Sequence, residues 1–152
     1  MDFDAKLQEL YIDLPEPISS PLGIVPFHRI GKILFLPQTF PFAEGKLIAK
    51  GRVGVDLRLD TARLGARAAL LSSLGILQAH LRTLNKLKQF LHLDGFIVSG
   101  ADFQDHEKVF DGASDLLRQI FGKVGEHSRN ILGVSSLPRG AAVCVSLSVE
   151  VK

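Results

Sequence analysis

Acidic, hydroxyl and imidazole side chains are the residues of this chain that could carry out acid–base or nucleophilic chemistry. Asp105-His106-Glu107 and His127-Ser128 contain the residue types of a charge-relay triad. Neighbouring residues of a strand point to opposite faces, however, and no nucleophile-elbow motif is present to expose a serine. The five histidines have no metal-ligand spacing with a cysteine or carboxylate pair. The sequence therefore predicts neither a metal nor a cofactor.

The single cysteine, Cys144, is a candidate nucleophile. A thiol has an ordinary pKa of about 8.5, so it is mostly protonated at pH 7 unless a base or cation lies beside it. The sequence alone places no histidine next to Cys144. A small buried residue of a strand is therefore the simpler interpretation. One cysteine also excludes a disulfide scaffold.

Length and charge set limits on the function classes. The chain has 152 residues, 18 Lys and Arg, and 16 Asp and Glu. Its basic residues are scattered rather than aligned in a stripe, which does not favour nucleic-acid binding. The longest apolar stretch, Leu64–Leu81, is interrupted by polar residues, and the beginning Met1-Asp2-Phe3-Asp4 is acidic where a signal peptide is basic. We expect one cytoplasmic domain over residues 1–152, without a membrane segment.

The N-terminal third of the chain predicts a short helix followed by strands. Residues Asp2–Tyr11 place Phe3, Leu7 and Leu10 on one helical face. A proline-rich connector, Leu14–Pro21, separates this helix from the strands. Three strands are predicted: Val25–Ile30, Lys32–Leu36 and Lys46–Lys50, with the second and third separated by a loop that Pro37 and Pro41 flank.

A long helix is predicted over Thr61–Leu81, with Asp60 as its N-cap. Apolar and small residues repeat at helical spacing along one face: Leu64, Ala68, Leu71, Gly75 and Leu81. Gly65, Ala66 and Ala69 are small enough to let this helix approach a sheet closely.

The remaining chain predicts a strand, a second long helix and a C-terminal strand pair. The predicted elements are a strand Leu87–Val98 buried on both faces and bulged at Asp94-Gly95, a helix Asp105–Lys123 with Gly122 or Gly125 at its end, and strands Arg129–Ser136 and Ala141–Lys152. In the last strand Val143 to Val151 alternate with Cys144, Ser146, Ser148 and Glu150. The order βββ-α-β-α-ββ, with both long helices on one face of a mixed sheet, predicts an α+β fold. The small, mildly polar opposite face is one that another subunit could cover.

Several motifs of the chain are similar to those of the RidA/YjgF family, also called endoribonuclease L-PSP or chorismate-mutase-like proteins. The residues that carry this resemblance are Leu34-Phe35-Leu36, Gly51-Arg52-Val53-Gly54, Gly112 to Leu117, Phe121-Gly122, Gly125, His127 to Asn130, Gly133-Val134 and Leu137 to Val143. The match covers nearly the whole chain and resembles the branch of about 150 residues. It implies the chorismate-mutase-like fold and a homotrimer with clefts between neighbouring subunits.

The resemblance also implies a chemistry. Active relatives hydrolyse 2-imino or enamine acids to 2-keto acids and ammonia, using an arginine that pairs with the substrate carboxylate and a glutamate that positions water. Counted back from the Leu137-Pro138 turn, the arginine corresponds to Arg129. The glutamate position is occupied by Cys144, and a neutral thiol cannot polarise water as a carboxylate does.

Other pocket positions of the family also differ in this sequence. Ser128-Arg129-Asn130 stands where the family reads Ala-Arg-Ser, so Asn130 is a candidate binding residue. Pro37-Gln38-Thr39 replaces Ser-Gly-Gln, which makes Gln38 and Thr39 candidate lining residues. The family's aromatic and amide positions correspond to Ile24 and Glu107.

These residues support three functional hypotheses. We favour a homotrimer that binds a small carboxylate, a 2-imino or 2-keto acid, at Arg129 without the family chemistry. The alternative is an active imine deaminase, a hydrolase with Arg129 and Cys144 at its centre. The third hypothesis is an endoribonuclease. It is the weakest of the three, because neither a basic groove nor a pair of acid–base histidines is evident in the sequence.

Overall fold

A computed structural model describes residues 1–18 and 24–152, so part of the predicted connector Leu14–Pro21 lies outside the described residues. The helices are α1 (Phe3–Glu9), α2 (Leu59–Leu81) and α3 (His106–Phe121). The strands are β1 (His28–Ile30), β2 (Ile33–Phe35), β3 (Phe42–Ala43), β4 (Lys46–Leu47), β5 (Leu87–Ile97), β6 (Ser128–Gly133) and β7 (Val143–Val151). The mixed α+β architecture with two long helices and a short N-terminal one confirms the predicted fold class. None of the helices in the described ranges has the length and apolarity needed to cross a membrane.

The main sheet has five strands in the order β1-β2-β7-β5-β6. Only β6 runs parallel to its neighbour, β5, and all other pairs are antiparallel. The predicted third strand, Lys46–Lys50, is wrong in extent and place: β4 covers two residues and pairs with β3 in a separate two-stranded ladder. Phe42 and Ala43 follow a proline-flanked loop, which concealed their strand character in the sequence.

Strand β7 gives the sheet its two different faces. Val143, Val145 and Leu147 are buried on the side covered by α2, as the alternation predicts. Cys144, Ser146 and Ser148 point to the opposite side, which we call the open face. Since residues in register share a face, the pairs Phe96–Cys144, Asp94–Ser146 and His92–Ser148 extend the open face onto β5.

Helix α2 lies close to the sheet because its contact residues are small. A Cβ atom added at Gly65 would lie 3.3 Å from Cγ2 of Val143 on β7, and Ala66 and Ala69 are fully buried. The predicted N-cap of this helix is wrong: Arg58 rather than Asp60 is the N-cap residue, because the helix begins at Leu59. Leu64, one of the residues that repeat at helical spacing, is 60% exposed.

Strand β5 and helix α3 pack closely at Gly95. A Cβ atom there would lie 2.7 Å from the Phe110 ring, so glycine is required for the contact rather than for a bulge. The irregularities of β5 lie nearer its beginning, at Leu87/Gln89 and Phe90/His92, so the predicted bulge at Asp94-Gly95 is wrong. The face of β5 beneath α3 is buried, whereas its open face is only partly covered. Burial on both faces was therefore also a wrong prediction.

Candidate functional site

Strand β6 lies at the edge of the sheet and carries polar side chains on both sides. Arg129 is in register with buried Leu93, and Ile131 packs against the core, so both residues lie on the helix side. Ser128 and Asn130 are in register with His92 and Asp94 and lie on the open face. Two polar clusters therefore flank one strand.

On the helix side, α3 holds the guanidinium group of Arg129. Its Nη1 donates hydrogen bonds to Asp111 Oδ1 at 3.0 Å and to Ser114 Oγ at 3.1 Å. Asp111 and Ser114 are three residues apart on α3, so they face β6 together. The Arg129 side chain is 21% exposed, which leaves part of this fixed cation accessible at the edge of the sheet.

His127 completes the helix-side cluster. Its Nδ1 lies 2.7 Å from the carbonyl oxygen of Gly125, and its Nε2 lies 2.9 Å from Ser114 Oγ. The carbonyl can only accept, so Nδ1 carries the proton and Nε2 accepts from the Ser114 hydroxyl. Desolvation lowers the pKa of His127, and the nearby charge of Arg129 lowers it further. The imidazole is therefore a neutral acceptor that fixes Ser114 beneath Arg129.

Cys144 lies on the open face, whereas Arg129 lies on the helix side. The structure therefore does not bring these two predicted site residues together within one protomer. The thiol is fully buried and donates to Gln38 Oε1 at 3.7 Å. Burial raises the pKa of Cys144 to about 11. At neutral pH the sulfur is protonated, so it serves neither as a base nor as a ready nucleophile.

The other predicted site residues are scattered. Gln38 covers Cys144, and exposed Asn130 lies on the same open face. The Thr39 side chain is buried on the helix side, where its hydroxyl bonds the Ala69 carbonyl and Ser73 Oγ, both at 2.7 Å. It therefore anchors the loop rather than lining the open face. Glu107 lies exposed in the first turn of α3, and Ile24 is 59% exposed before β1.

Sequence reasoning missed the residues that surround the predicted ones. Asp111, Ser114 and His127 fix Arg129, and the first two were detectable as a polar pair at helical spacing. On the open face, His92 Nδ1 lies 2.6 Å from Ser128 Oγ, and His92 Nε2 lies 2.9 Å from Asp94 Oδ1. The sequence signal for this cluster was the spacing of His92 and Asp94, which lie two residues apart and therefore on one face of β5. Ser128 could be added to the cluster only once the pairing of β5 with β6 was known.

The open face is also markedly apolar near the sheet edges. Strand pairing places Ile30, Phe35 and Leu132 on this face. Their exposed fractions are 70%, 48% and 55%, respectively. Large apolar side chains are therefore exposed at both edges of the open face, on either side of the polar positions of β7 and β5. Within residues 1–18 and 24–152, no three His, Cys, Asp or Glu side chains are grouped to hold a metal ion.

Comparisons with known proteins agree on one family. Residues 4–151 match the family described as "YjgF/chorismate_mutase-like, putative endoribonuclease". Protein TCP17 of Trypanosoma cruzi is 34% identical over 147 residues, which cover 96% of this chain and 92% of that protein.

Solved structures extend the likeness to three dimensions. A structure from Shewanella oneidensis described as a "putative endoribonuclease" is 30% identical, with a TM-score of 0.95, and the alignment covers 99% of this chain and 100% of that one. Escherichia coli TdcF, solved with bound serine, has 14% identity and a TM-score of 0.63 over 90% of this chain and 93% of that one, which shows the shared fold. With a family match over nearly its whole length and a fold that agrees, the chain belongs to the YjgF/chorismate-mutase-like family.

Proposed function

We propose that this protein is a homotrimer that binds a small carboxylate-bearing metabolite, a 2-imino or 2-keto acid, at Arg129. The supporting observation is that Asp111 and Ser114 hold the guanidinium in place while part of it stays accessible. Within the described residues, the side-chain hydrogen bonds of Arg129 are both donated by Nη1. The Nε–Nη2 edge of the guanidinium can then pair with both oxygens of a carboxylate.

Binding without the family's deaminase chemistry is favoured by the state of Cys144. This residue occupies the position of the family's glutamate, yet its thiol is protonated, buried and turned towards Gln38. A neutral thiol cannot draw a proton from water as a carboxylate does. Deaminase activity therefore becomes an outcome to test, measured as ammonia release from imines generated by an amino-acid oxidase.

The exposed apolar side chains of the open face support the proposed trimer. Strand β6 is one of the two outer strands of the main sheet, so a subunit covering this face would also border the edge at which Arg129 lies. Multi-angle light scattering should give three times the 16.6 kDa chain mass. Leu132→Asp should dissociate the trimer, whereas Leu64→Asp, which charges an equally exposed leucine on α2, should not. A monomeric wild type would contradict the proposed assembly.

Ligand binding can be tested through thermal unfolding. Serine and 2-ketobutyrate at millimolar concentrations should raise the melting temperature of the wild type, because ligands that bind only the folded state stabilise it. Arg129→Ala should abolish the shift. Arg29→Ala is a matched control, since Arg29 is exposed on β1 and donates to the Gly31 carbonyl of its own turn. The binding proposal fails if no carboxylate raises the melting temperature of the wild type, or if the melting temperature of Arg129→Ala rises by the same amount.

A further inference from the structure

The open face carries a hydrogen-bonded chain of a serine, a histidine and an aspartate. Ser128 begins β6, and His92 and Asp94 lie two residues apart on the paired strand β5. His92 is in register with Ser128, so strand pairing presents the two side chains to each other. No motif in the sequence shows this arrangement, because the residues come from strands that lie 36 positions apart.

The proton positions in this chain follow from the acceptors. Asp94 accepts only, so His92 Nε2 carries the proton that is donated to Asp94 Oδ1 at 2.9 Å. His92 Nδ1 lies 2.6 Å from Ser128 Oγ, so the tautomer that is protonated only at Nε2 accepts from the Ser128 hydroxyl. The Leu91 carbonyl is a second acceptor for this hydroxyl but lies at 3.2 Å. When the serine proton points towards Nδ1 instead of the Leu91 carbonyl, the imidazole is placed to remove it as a general base.

The surroundings of the serine fit an acyl substrate. In the single chain Ser128 is exposed, and the side chains of His92 and Asp94 are 31% and 41% exposed. Ser128 begins the edge strand β6, so in the proposed trimer a small molecule can reach its hydroxyl from the cleft along that edge. The Asn130 amide, two residues along the same face, lies 3.5 Å from His92 Nε2. Because His92 Nε2 already donates its proton to Asp94, it does not accept from Asn130, and the Asn130 side-chain N–H remains available to a substrate oxygen.

We propose that Ser128, His92 and Asp94 form a nucleophilic triad that hydrolyses small acyl esters. Ser128 Oγ bonds to the acyl carbon while His92 Nδ1 takes its proton, and Asp94 stabilises the resulting imidazolium. Collapse breaks the ester C–O bond, and the leaving alcohol receives the proton from Nδ1. Water then attacks the acyl-serine, its proton passes through His92 to Ser128, and the carboxylic acid leaves. Asn130 donates to the oxyanion in both steps.

Fluorophosphonate labelling of the purified full-length protein tests this proposal. The reagent should phosphonylate Ser128 in the wild type, as located by peptide mass spectrometry. Ser128→Ala should remove that adduct, and His92→Gln should slow labelling by about 100-fold or more, the usual contribution of a general base. Ser148→Ala is the matched control, because Ser148 is in register with His92 on the other neighbouring strand, β7, and lies outside the triad. It should label at the wild-type rate.

Hydrolysis of p-nitrophenyl acetate supplies the catalytic measurement. Wild type should release p-nitrophenol with turnover, Ser128→Ala should fall to the rate of buffer, and Asn130→Ala should lower kcat more than it changes KM. An adduct on another residue, or equal rates for the wild type and Ser128→Ala, would overturn the proposal. Ser128 is exposed, so its alanine variant should fold, and an overlaid circular dichroism spectrum verifies this. The triad uses neither Arg129 nor Cys144, so carboxylate binding stands or falls separately.

Discussion

Replacing Asp111 with asparagine should tighten carboxylate binding and weaken the fold at the same time. Asp111 occupies one side of the Arg129 guanidinium, with its Oδ1 3.0 Å from Nη1. A ligand carboxylate on the other edge would lie about 6 Å from the Asp111 charge and be repelled by it. At that distance, Coulomb's law gives about 0.7 kcal/mol in bulk water and about 2.8 kcal/mol at an effective dielectric constant of about 20.

The partial exposure of this pair places the repulsion between these limits. The Asp111 side chain is 40% exposed, so we expect about 1 to 2 kcal/mol, which corresponds to about five- to thirty-fold tighter binding in Asp111→Asn. The fold should lose about 0.5 to 1 kcal/mol, because the amide oxygen still accepts from Arg129 but carries no charge. Opposite signs for affinity and stability distinguish competition from simple structural damage.

Isothermal titration calorimetry with 2-ketobutyrate and urea unfolding give the two quantities. Asp115→Asn is the matched control, since Asp115 is also on α3 but pairs with Arg63 and Arg118. It should leave the ligand affinity within twofold of the wild type. If Asp111→Asn binds the ligand more weakly than the wild type, the carboxylate does not occupy the free edge of Arg129 and the reasoning is refuted.

Three further predictions concern stability and reactivity. Thr39→Val should cost about 1 to 3 kcal/mol in urea unfolding, because fully buried Ser73 loses its 2.7 Å hydroxyl partner, whereas Thr39→Ser should cost less. Cys144 should react with iodoacetamide far more slowly than a free thiol at pH 8, because burial raises its pKa to about 11. As the control, the protein unfolded in urea should react at the rate of a free thiol. The pKa of His127 is lowered in the folded state, so as the pH falls the histidine is protonated in the unfolded chain before it is protonated in the folded one. The free energy of unfolding should therefore be unaffected by His127 above its ordinary pKa of 6.5 and should decrease as the pH drops below that value. His127→Gln should flatten that decline, and an unchanged slope would contradict it.

The predictability of the fold depended on how local each signal was. The alternation in β7 identifies its buried face without knowledge of the neighbouring strands, and small residues such as Gly65 mark the close approach of α2. The two-residue strands β3 and β4 carry too few positions for any period to be visible. The N-cap of α2 was misplaced because Asp60 has the preferred side chain for that position, whereas Arg58 makes no side-chain cap bond.

The candidate site was less predictable because its geometry depends on strand pairing. The motif around Arg129 identifies the residue but not its partners, since Asp111 and Ser114 lie on α3 and meet β6 only after folding. The parallel pairing of β5 with β6 determines which alternate residues share a face. Arg129 therefore lies on the helix side of β6 and Ser128 on the open face. Their adjacency in the sequence does not show that they belong to different clusters.

The two departures from the family pattern at Gln38 and Cys144 are physically one change. The resemblance implies a glycine and a glutamate at these positions, and the structure brings the two side chains into contact at 3.7 Å. A glutamine side chain over position 144 closes the space that would solvate a carboxylate, and an unpaired buried carboxylate is costly. A thiol loses little on burial and satisfies the amide oxygen with its S–H. Once Gln38 covers the strand, cysteine is the compatible residue, and a glutamate restored at Cys144 alone would be held protonated beneath it.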